Sequence, residues 1–172
     1  MYEVDWKDIV IELTDIPQSS VGAPIPIVIT DEHNVTIAFY LQNTPASWDG
    51  TTIRVVGFNS EKEPIAIVKF EHCYSHMFGP PNDEAFSGHP LASRGLGPYS
   101  FYEIQESSWI RKLEKMNSVH PYHKKLQFME NKKHYIFSFH DSTFECIALG
   151  YKLEVISGSM KDAMEKIVGS FK

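Results

Sequence analysis

The clearest alternation of hydrophobic and polar residues runs from residue 134 to residue 155. Tyr135, Phe137 and Phe139 alternate with polar residues, which is the period of a half-buried β-strand. Turn-forming residues occupy 141–143, and a second alternation runs over 147–155. The pattern predicts a long antiparallel hairpin at the centre of a sheet.

Shorter apolar or alternating segments predict further strands in the first hundred residues. They are residues 8–13, 25–30, 35–41, 52–58, 65–71 and 99–104. Polar turns separate the first five of these segments, and no helix-length pattern lies between them. This spacing favours an antiparallel meander or Greek key over alternating βαβ units.

Three helices are predicted after the last of these short segments. The first covers residues 107–116, and the second begins at Pro121, with Tyr122, Leu126 and Met129 forming its buried stripe. The third covers residues 159–168, where a serine and an aspartate three residues later resemble a capping box. We therefore predict an α+β fold: a mainly antiparallel curved sheet, barrel or sandwich of seven or eight strands, with three helices after residue 105.

Composition agrees with an ordinary globular protein. The 172 residues are 42% hydrophobic and 22% charged, so we expect one domain spanning residues 1–172. The net charge of -6 argues against a nucleic-acid partner, because no basic surface could release counterions. No stretch reaches the length of a membrane span, and Cys73 and Cys146 do not form a disulfide framework. A cytoplasmic location and no membrane partner are the expectations.

Candidate functional residues concentrate in the middle of the chain. Residues 73–98 are rich in glycine and proline and have no sustained periodicity, which is uncommon unless the segment is functional or loosely ordered. Seven of the histidines lie between residues 72 and 140. Histidine serves wherever a proton or a metal is handled near neutral pH. We expect one pocket lined by His72, His76, His89, Arg94, His120, His123, His140, Asp141 and Glu145.

His72 and His76 are the candidate metal ligands. Their i, i+4 spacing suits a metal only if the segment is helical, and no glutamate completes the HExxH pattern. Surface or capping histidines are the alternative. Arg94 is a candidate anion ligand or a surface ion-pair residue, and His89 is a candidate ligand-binding residue of the same loop.

His120 and His123 are further candidate ligand-binding residues, because Pro121 places them at the positive end of the second predicted helix. A helix cap and a solvent-facing side chain are the alternative roles.

His140, Asp141 and Glu145 are the candidate catalytic residues at the hairpin tip. A carboxylate beside an imidazole raises its basicity, although adjacent strand residues point to opposite faces. A turn whose side chains bond their own backbone is the alternative. Glu145 is in phase with the apolar face of its strand, so it needs a partner.

Two classes of function are consistent with these residues. In the first, a binding module holds a small polar ligand or a protein partner, with histidines supplying hydrogen bonds. In the second, the protein is a metal-dependent or histidine/carboxylate acid–base hydrolase. Binding is favoured, because no nucleophile, metal-spacing or phosphate motif is present and fold alone does not imply catalysis. The sequence names no cofactor.

Overall fold

The computed structural model describes residues 2–44, 48–51 and 54–171. In this part of the chain, nine strands form two antiparallel sheets, and three α-helices accompany them. The strands are β1 Ile9–Glu12, β2 Ile27–Thr30, β3 Val35–Tyr40, β4 Glu63–Glu71, β5 Ser75–Gly79, β6 Phe101–Gln105, β7 Lys133–Ser138, β8 Thr143–Ala148 and β9 Gly150–Gly158. The helices are α1 Ser108–Asn117, α2 Lys125–Met129 and α3 Met160–Gly169. The predicted α+β class and the three helices after residue 105 are confirmed.

The two sheets pack face to face as a sandwich. The five-stranded sheet has the order β1-β6-β7-β8-β5, and the four-stranded sheet has the order β2-β3-β4-β9. Aromatic side chains from both sheets meet between them. The Phe39 and Phe101 ring centroids are 5.3 Å apart, as are those of Phe70 and Phe144. This aromatic layer is the main core of the protein.

The predicted hairpin is present, but its second arm belongs to two strands. β8 pairs with β7 in the five-stranded sheet, whereas β9 pairs with β4 in the other sheet. The chain changes sheets at Leu149 and Gly150, where a Cβ on Gly150 would lie 3.3 Å from Glu71 Oε2. The predicted apolar alternation therefore does not follow one face: Ile147 packs on the outer face of the five-stranded sheet, whereas Tyr151 and Leu153 pack against the core between the sheets.

Two other differences account for the strand count. β5 lies within the stretch expected to be irregular. The predicted strand 52–58 is not seen over residues 54–58, and its first two residues lie outside the described part of the chain. The described residues thus form nine strands, where the sequence predicted seven or eight.

α3 covers the outer face of the four-stranded sheet. Met160, Ala163 and Ile167 pack against apolar side chains of β3 and β4. The predicted capping box is confirmed: the Ser159 hydroxyl accepts from Asp162 N–H, and the Asp162 carboxylate accepts from Ser159 N–H. None of the described helices has both the length and the apolar character that crossing a membrane requires.

The outer face of the five-stranded sheet is covered by three separate segments. These are the N-terminal residues, the loop between β5 and β6, and α1. Leu91 of the loop is fully buried, and Trp109 of α1 is 6% exposed. This face carries Glu145 and, from the covering loop, His89, two of the residues that the sequence singled out.

The prediction for the second helix is wrong in its start and in its buried stripe. α2 begins at Lys125, with Lys124 as its N-cap, so neither Pro121 nor His120 opens it. Tyr122 and Leu126 are each 85% exposed. The helix has only five residues, which gives it too little length to bury a stripe.

Candidate functional site

Glu145 lies at the centre of a buried polar network. Its side chain is in β8 on the face opposite the aromatic core, and the residue is 3% exposed. The carboxylate has three partners: the Tyr2 hydroxyl at 2.8 Å, His134 Nε2 at 3.0 Å and His89 Nε2 at 3.1 Å. A buried charge is costly unless several donors compensate it, and here three do.

The hydrogen bonds at His89 determine its protonation. Leu91 N–H donates to His89 Nδ1 over 3.1 Å, so Nδ1 carries a lone pair. The ring proton is therefore on Nε2 and is donated to the Glu145 carboxylate. His89 is thus a neutral imidazole with both nitrogens occupied.

His134 has the same tautomer for a different reason. Ile110 N–H donates to the Ser107 hydroxyl oxygen at the start of α1, so the Ser107 proton is directed elsewhere. Because the Glu145 carboxylate can only accept, the proton of the neutral His134 ring is on Nε2, and the Ser107 hydroxyl donates to Nδ1 over 2.9 Å. The cap of α1 and the buried network therefore form one chain of hydrogen bonds.

The pKa values follow from burial and from these partners. Burial raises the pKa of the Glu145 carboxyl group, but hydrogen bonds from His134 and His89 outweigh it, so the pKa falls from 4.5 to about 2. Burial lowers the pKa of His134, in spite of the neighbouring Glu145. Burial and the Glu145 charge both raise the pKa of Tyr2. At neutral pH Glu145 is therefore a carboxylate beside a neutral His134 and a neutral Tyr2.

Aromatic rings enclose the network. Tyr2 stacks on Trp109 with ring centroids 5.4 Å apart, and both rings meet His134 edge-on. Phe86 stacks on His89 at 5.7 Å. The polar groups of the network are thus hydrogen-bonded to one another and shielded from solvent. Their contacts hold the N-terminal segment, the loop and α1 against the sheet.

His140 lies in a second, exposed group at the hairpin tip. Its Nδ1 is 3.0 Å from Asp83 Oδ2 and 2.9 Å from the Tyr99 hydroxyl, which also hydrogen bonds to Asp83. The hydrogen bond from Tyr99 lowers the pKa of Asp83, and that bond raises the pKa of Tyr99 to about 12. Asp83 therefore orients the imidazole, whose side chain is 42% exposed.

The three candidate catalytic residues are thus in different surroundings. Asp141 Oδ1 is 4.0 Å from His140 Nε2, and its side chain is 88% exposed. Glu145 hydrogen bonds to His89 and His134 instead. His140 therefore takes its close carboxylate from the loop, at Asp83, and not from the hairpin itself.

His123 belongs to a third group, beside α1. Asn117 Nδ2–H donates to His123 Nδ1 over 3.0 Å, and His123 Nε2 then faces Glu114 Oε1 at 2.9 Å. His120 lines the same small cavity, of about 180 Å³, and its Nδ1 accepts from Tyr122 N–H. These contacts hold the segment between α1 and α2 against α1.

The other predicted site residues lie apart from these groups. His72, with φ of 48°, follows β4, and His76 lies in β5; both are exposed. The helical geometry that their spacing required is absent, because residues 75–79 are extended. Arg94 donates to the backbone oxygen of Asp8 at 2.9 Å. Within residues 2–44, 48–51 and 54–171, no group of three or more histidine, cysteine, aspartate or glutamate side chains could hold a metal ion.

A larger cavity lies outside the histidine region, at the end of β3. Its volume is about 600 Å³, and its lining includes Gln42, Asn43, Trp48 and Arg54. Arg54 forms an ion pair with Glu63, whose side chain is 9% exposed, and Asn43 Nδ2 is 3.5 Å from the same carboxylate. Trp48 is 47% exposed. The cavity thus combines an indole ring, two amides and a balanced ion pair.

Sequence reasoning did not place several of these residues in a site. His134 is in phase with Ile136 on one face of β7. This periodicity could have identified His134 as a buried residue, as it did for Glu145. Tyr2, Asp83 and Tyr99 are ordinary terminal or loop residues in the sequence, and only folding brings them to their histidines. The cavity at Trp48 is assembled from separate loops, so no local pattern marks it.

Comparison with known proteins provides no relative. The sequence matches no protein-family model, and no curated protein or solved structure is significantly similar to it.

Proposed function

We propose that this protein is a binding module for a small polar ligand and that the ligand occupies the cavity at Trp48. The observation that carries the proposal is the cavity itself, about 600 Å³ in volume and lined by both polar and apolar side chains. Ligand pockets in proteins are typically about 300 to 1,000 Å³, with a few polar groups for orientation.

The buried histidines are better explained as stabilising the fold than as binding a ligand. His89 and His134 use both ring nitrogens within the protein, and their side chains are 0% exposed. Tyr2 and Trp109 pack on His134, and Phe86 packs on His89, so a ligand would have to displace an aromatic ring to reach either histidine. We therefore assign the ligand to the cavity at Trp48 and not to a histidine-lined pocket.

The lining favours a neutral ligand. The positive charge of Arg54 is balanced by Glu63, so a charged ligand would compete with an existing ion pair. Gln42 and Asn43 each offer both a donor and an acceptor, and Trp48 offers a flat apolar ring. This combination suits a small ring that carries hydroxyl or amide groups. A cytoplasmic ligand agrees with the two cysteines, Cys73 and Cys146, being free thiols.

Titration with neutral ring compounds tests the proposal. Tryptophan fluorescence is followed while D-glucose, uridine or nicotinamide is added up to about 10 mM, above the range of weak specific binding. We expect at least one compound to give a saturable change that is lost in Trp48→Phe. Trp6→Phe is the matched control, because Trp6 is 83% exposed and does not line the cavity. No saturable change with any compound, or an equal change in Trp48→Phe, would contradict the proposal.

General acid–base catalysis at His140 is the second candidate. It is favoured by one observation: Asp83 holds His140 Nδ1 at 3.0 Å while the side chain is 42% exposed. A carboxylate in this position orients an imidazole, and general acid–base catalysis by a positioned side chain contributes about 10² to 10⁴ in rate. For this second candidate we propose that His140 transfers the proton and that Asp83 orients it.

Hydrolysis of p-nitrophenyl acetate and p-nitrophenyl phosphate tests this second candidate. We expect a rate above that of buffer which falls at least about 100-fold in His140→Ala. Asp83→Asn should lower the same rate, because it weakens the orienting contact. His33→Ala is the control, since His33 is exposed in the turn between β2 and β3. Equal rates in His140→Ala and His33→Ala would exclude the candidate.

A further inference from the structure

A further cavity lies on the outer face of the four-stranded sheet, beneath the C-terminal end of α3. Its volume is about 250 Å³, and its walls include Ile67 of β4 and Ile167 of α3. Both residues are buried, at 7% and 3% exposed. This cavity shares no lining residue with the one at Trp48, so the two can be tested independently.

A row of three polar residues crosses the sheet at this cavity. Thr36 of β3 is opposite Lys69 of β4, and Lys69 is opposite Lys152 of β9. All three residues line the cavity. Like charges directly opposite each other destabilise a sheet, so an anion near the two lysines would remove an existing repulsion.

The ion pairs around the cavity leave one lysine in excess. Lys152 Nζ is 2.7 Å from Glu71 Oε1, and Lys166 pairs with Glu154. Lys69 takes part in neither of these pairs. Among the described residues, three lysines and two glutamates therefore leave about one excess positive charge at the cavity, which the negative end of α3 partly offsets.

The Thr36 hydroxyl group is a second indication of a ligand in this cavity, separate from the charge of the lysines. The residue is 2% exposed, and its hydroxyl has no hydrogen-bond partner among the described residues. Buried hydroxyl groups in folded proteins are nearly always hydrogen-bonded, because an unpaired one loses its hydration without compensation. A carboxylate oxygen in the cavity would accept the proton of this hydroxyl.

We propose that this cavity binds a small monocarboxylate with a short hydrocarbon chain. The carboxylate accepts hydrogen bonds from the Lys69 ammonium group and the Thr36 hydroxyl, and the chain packs between Ile67 and Ile167. One excess charge suits a monoanion and gives no advantage to a multiply charged phosphate compound. The small volume admits a chain of a few carbon atoms and excludes a long fatty acid.

Methyl NMR with sodium hexanoate as the probe tests the site. We expect saturable shifts of the Ile67 and Ile167 methyl groups, with no matching shifts from hexan-1-ol or hexan-1-amine at equal concentration. Lys69→Met keeps the chain length and removes the charge, so affinity should fall about tenfold or more. Lys161→Met is the matched control, since Lys161 is on α3 but does not line the cavity.

Thr36→Val provides a second readout that does not depend on the lysine. Without hexanoate, this variant should be at least as stable to urea as the wild type, because it removes an unpaired hydroxyl from a buried position. With hexanoate it should bind more weakly. The proposal is overturned if hexanoate produces no saturable shifts, if Lys69→Met binds it as tightly as Lys161→Met does, or if hexan-1-ol binds equally well.

Discussion

His89 Nε2 and Glu145 Oε1 are 3.1 Å apart although the two residues are separated by 56 positions in the sequence. Glu145 belongs to the central hairpin, and His89 belongs to the loop that covers the same sheet. Leu91 N–H holds the opposite nitrogen of the imidazole. The loop is therefore joined to the sheet by a hydrogen bond whose direction is determined at both ends.

Glu145→Gln should destabilise the protein in spite of its small change in shape. His134 and Tyr2 both donate to one carboxylate oxygen and His89 donates to the other, so an amide nitrogen must face at least one donor. His89 cannot reverse its tautomer without losing the bond from Leu91. We expect a loss of about 1 to 3 kcal/mol in the free energy of unfolding, measured by urea denaturation.

Glu103→Gln is the matched control for this substitution. Glu103 is in the same sheet, but its partner Lys133 is 46% exposed, and such pairs contribute about 0 to 1 kcal/mol. Equal stability of Glu145→Gln and Glu103→Gln would show that the three buried hydrogen bonds contribute no more than a surface pair.

Acid should weaken the protein through the same network. The folded-state pKa of Glu145 is lowered from 4.5 to about 2, so its contribution is complete above pH 4.5 and is lost as pH falls toward 2. The size of this contribution is up to about 3 kcal/mol. The pKa of His134 is lowered below 6.5 by burial, so the unfolded chain also binds more protons there as pH falls.

Protonation of Glu145 and protonation of His134 therefore both favour unfolding at low pH. Urea denaturation at pH 7, 4 and 2.5 should show a steady fall in the free energy of unfolding. In Glu145→Gln the fall between pH 4 and 2.5 should be smaller, because one titrating group is absent. If the free energy of unfolding falls equally in Glu145→Gln and the wild type between pH 4 and 2.5, other carboxylates cause the acid sensitivity.

His89→Ala should release the covering loop before the rest of the protein unfolds. The substitution removes the bond to Glu145 and the stacking on Phe86. Hydrogen exchange should become faster in residues 86–96, whereas β7 should remain protected. His76→Ala, at an exposed position of β5, is the control and should leave the loop unchanged. Uniform acceleration across all strands would indicate global destabilisation in place of local opening.

Tyr40→Phe should loosen the start of α3. The Tyr40 hydroxyl accepts from Met160 N–H at 2.9 Å and donates to the Gly57 carbonyl at 3.1 Å. Its removal leaves Met160 N–H with only the longer bond to the Phe58 carbonyl at 3.2 Å, at a cost of up to about 1 kcal/mol. Thermal denaturation should detect this loss, and Tyr122→Phe is the control because Tyr122 is 85% exposed. Identical melting temperatures would contradict the role of the hydroxyl.

Much of the fold followed from local patterns. The alternation of Tyr135, Phe137 and Phe139 predicted a strand with one buried face, and these side chains lie in the aromatic core. The serine and aspartate of the capping box predicted the start of α3. α2 was misplaced because a proline start signal and three apolar residues at helical spacing do not ensure packing. Tyr122 and Leu126 are exposed, and of the three only Met129 packs against a buried cluster.

For the candidate site, the sequence by itself determined that Glu145 needed a buried partner, because its phase in the strand places it among apolar residues. Only the tertiary structure decided that the partners are His89, His134 and Tyr2, and that Asp83 is the carboxylate beside His140. The physical reason is the separation of the interacting residues along the chain. Periodicity reports which face of a strand is covered, whereas the identity of the covering residues depends on contacts between segments far apart in the chain.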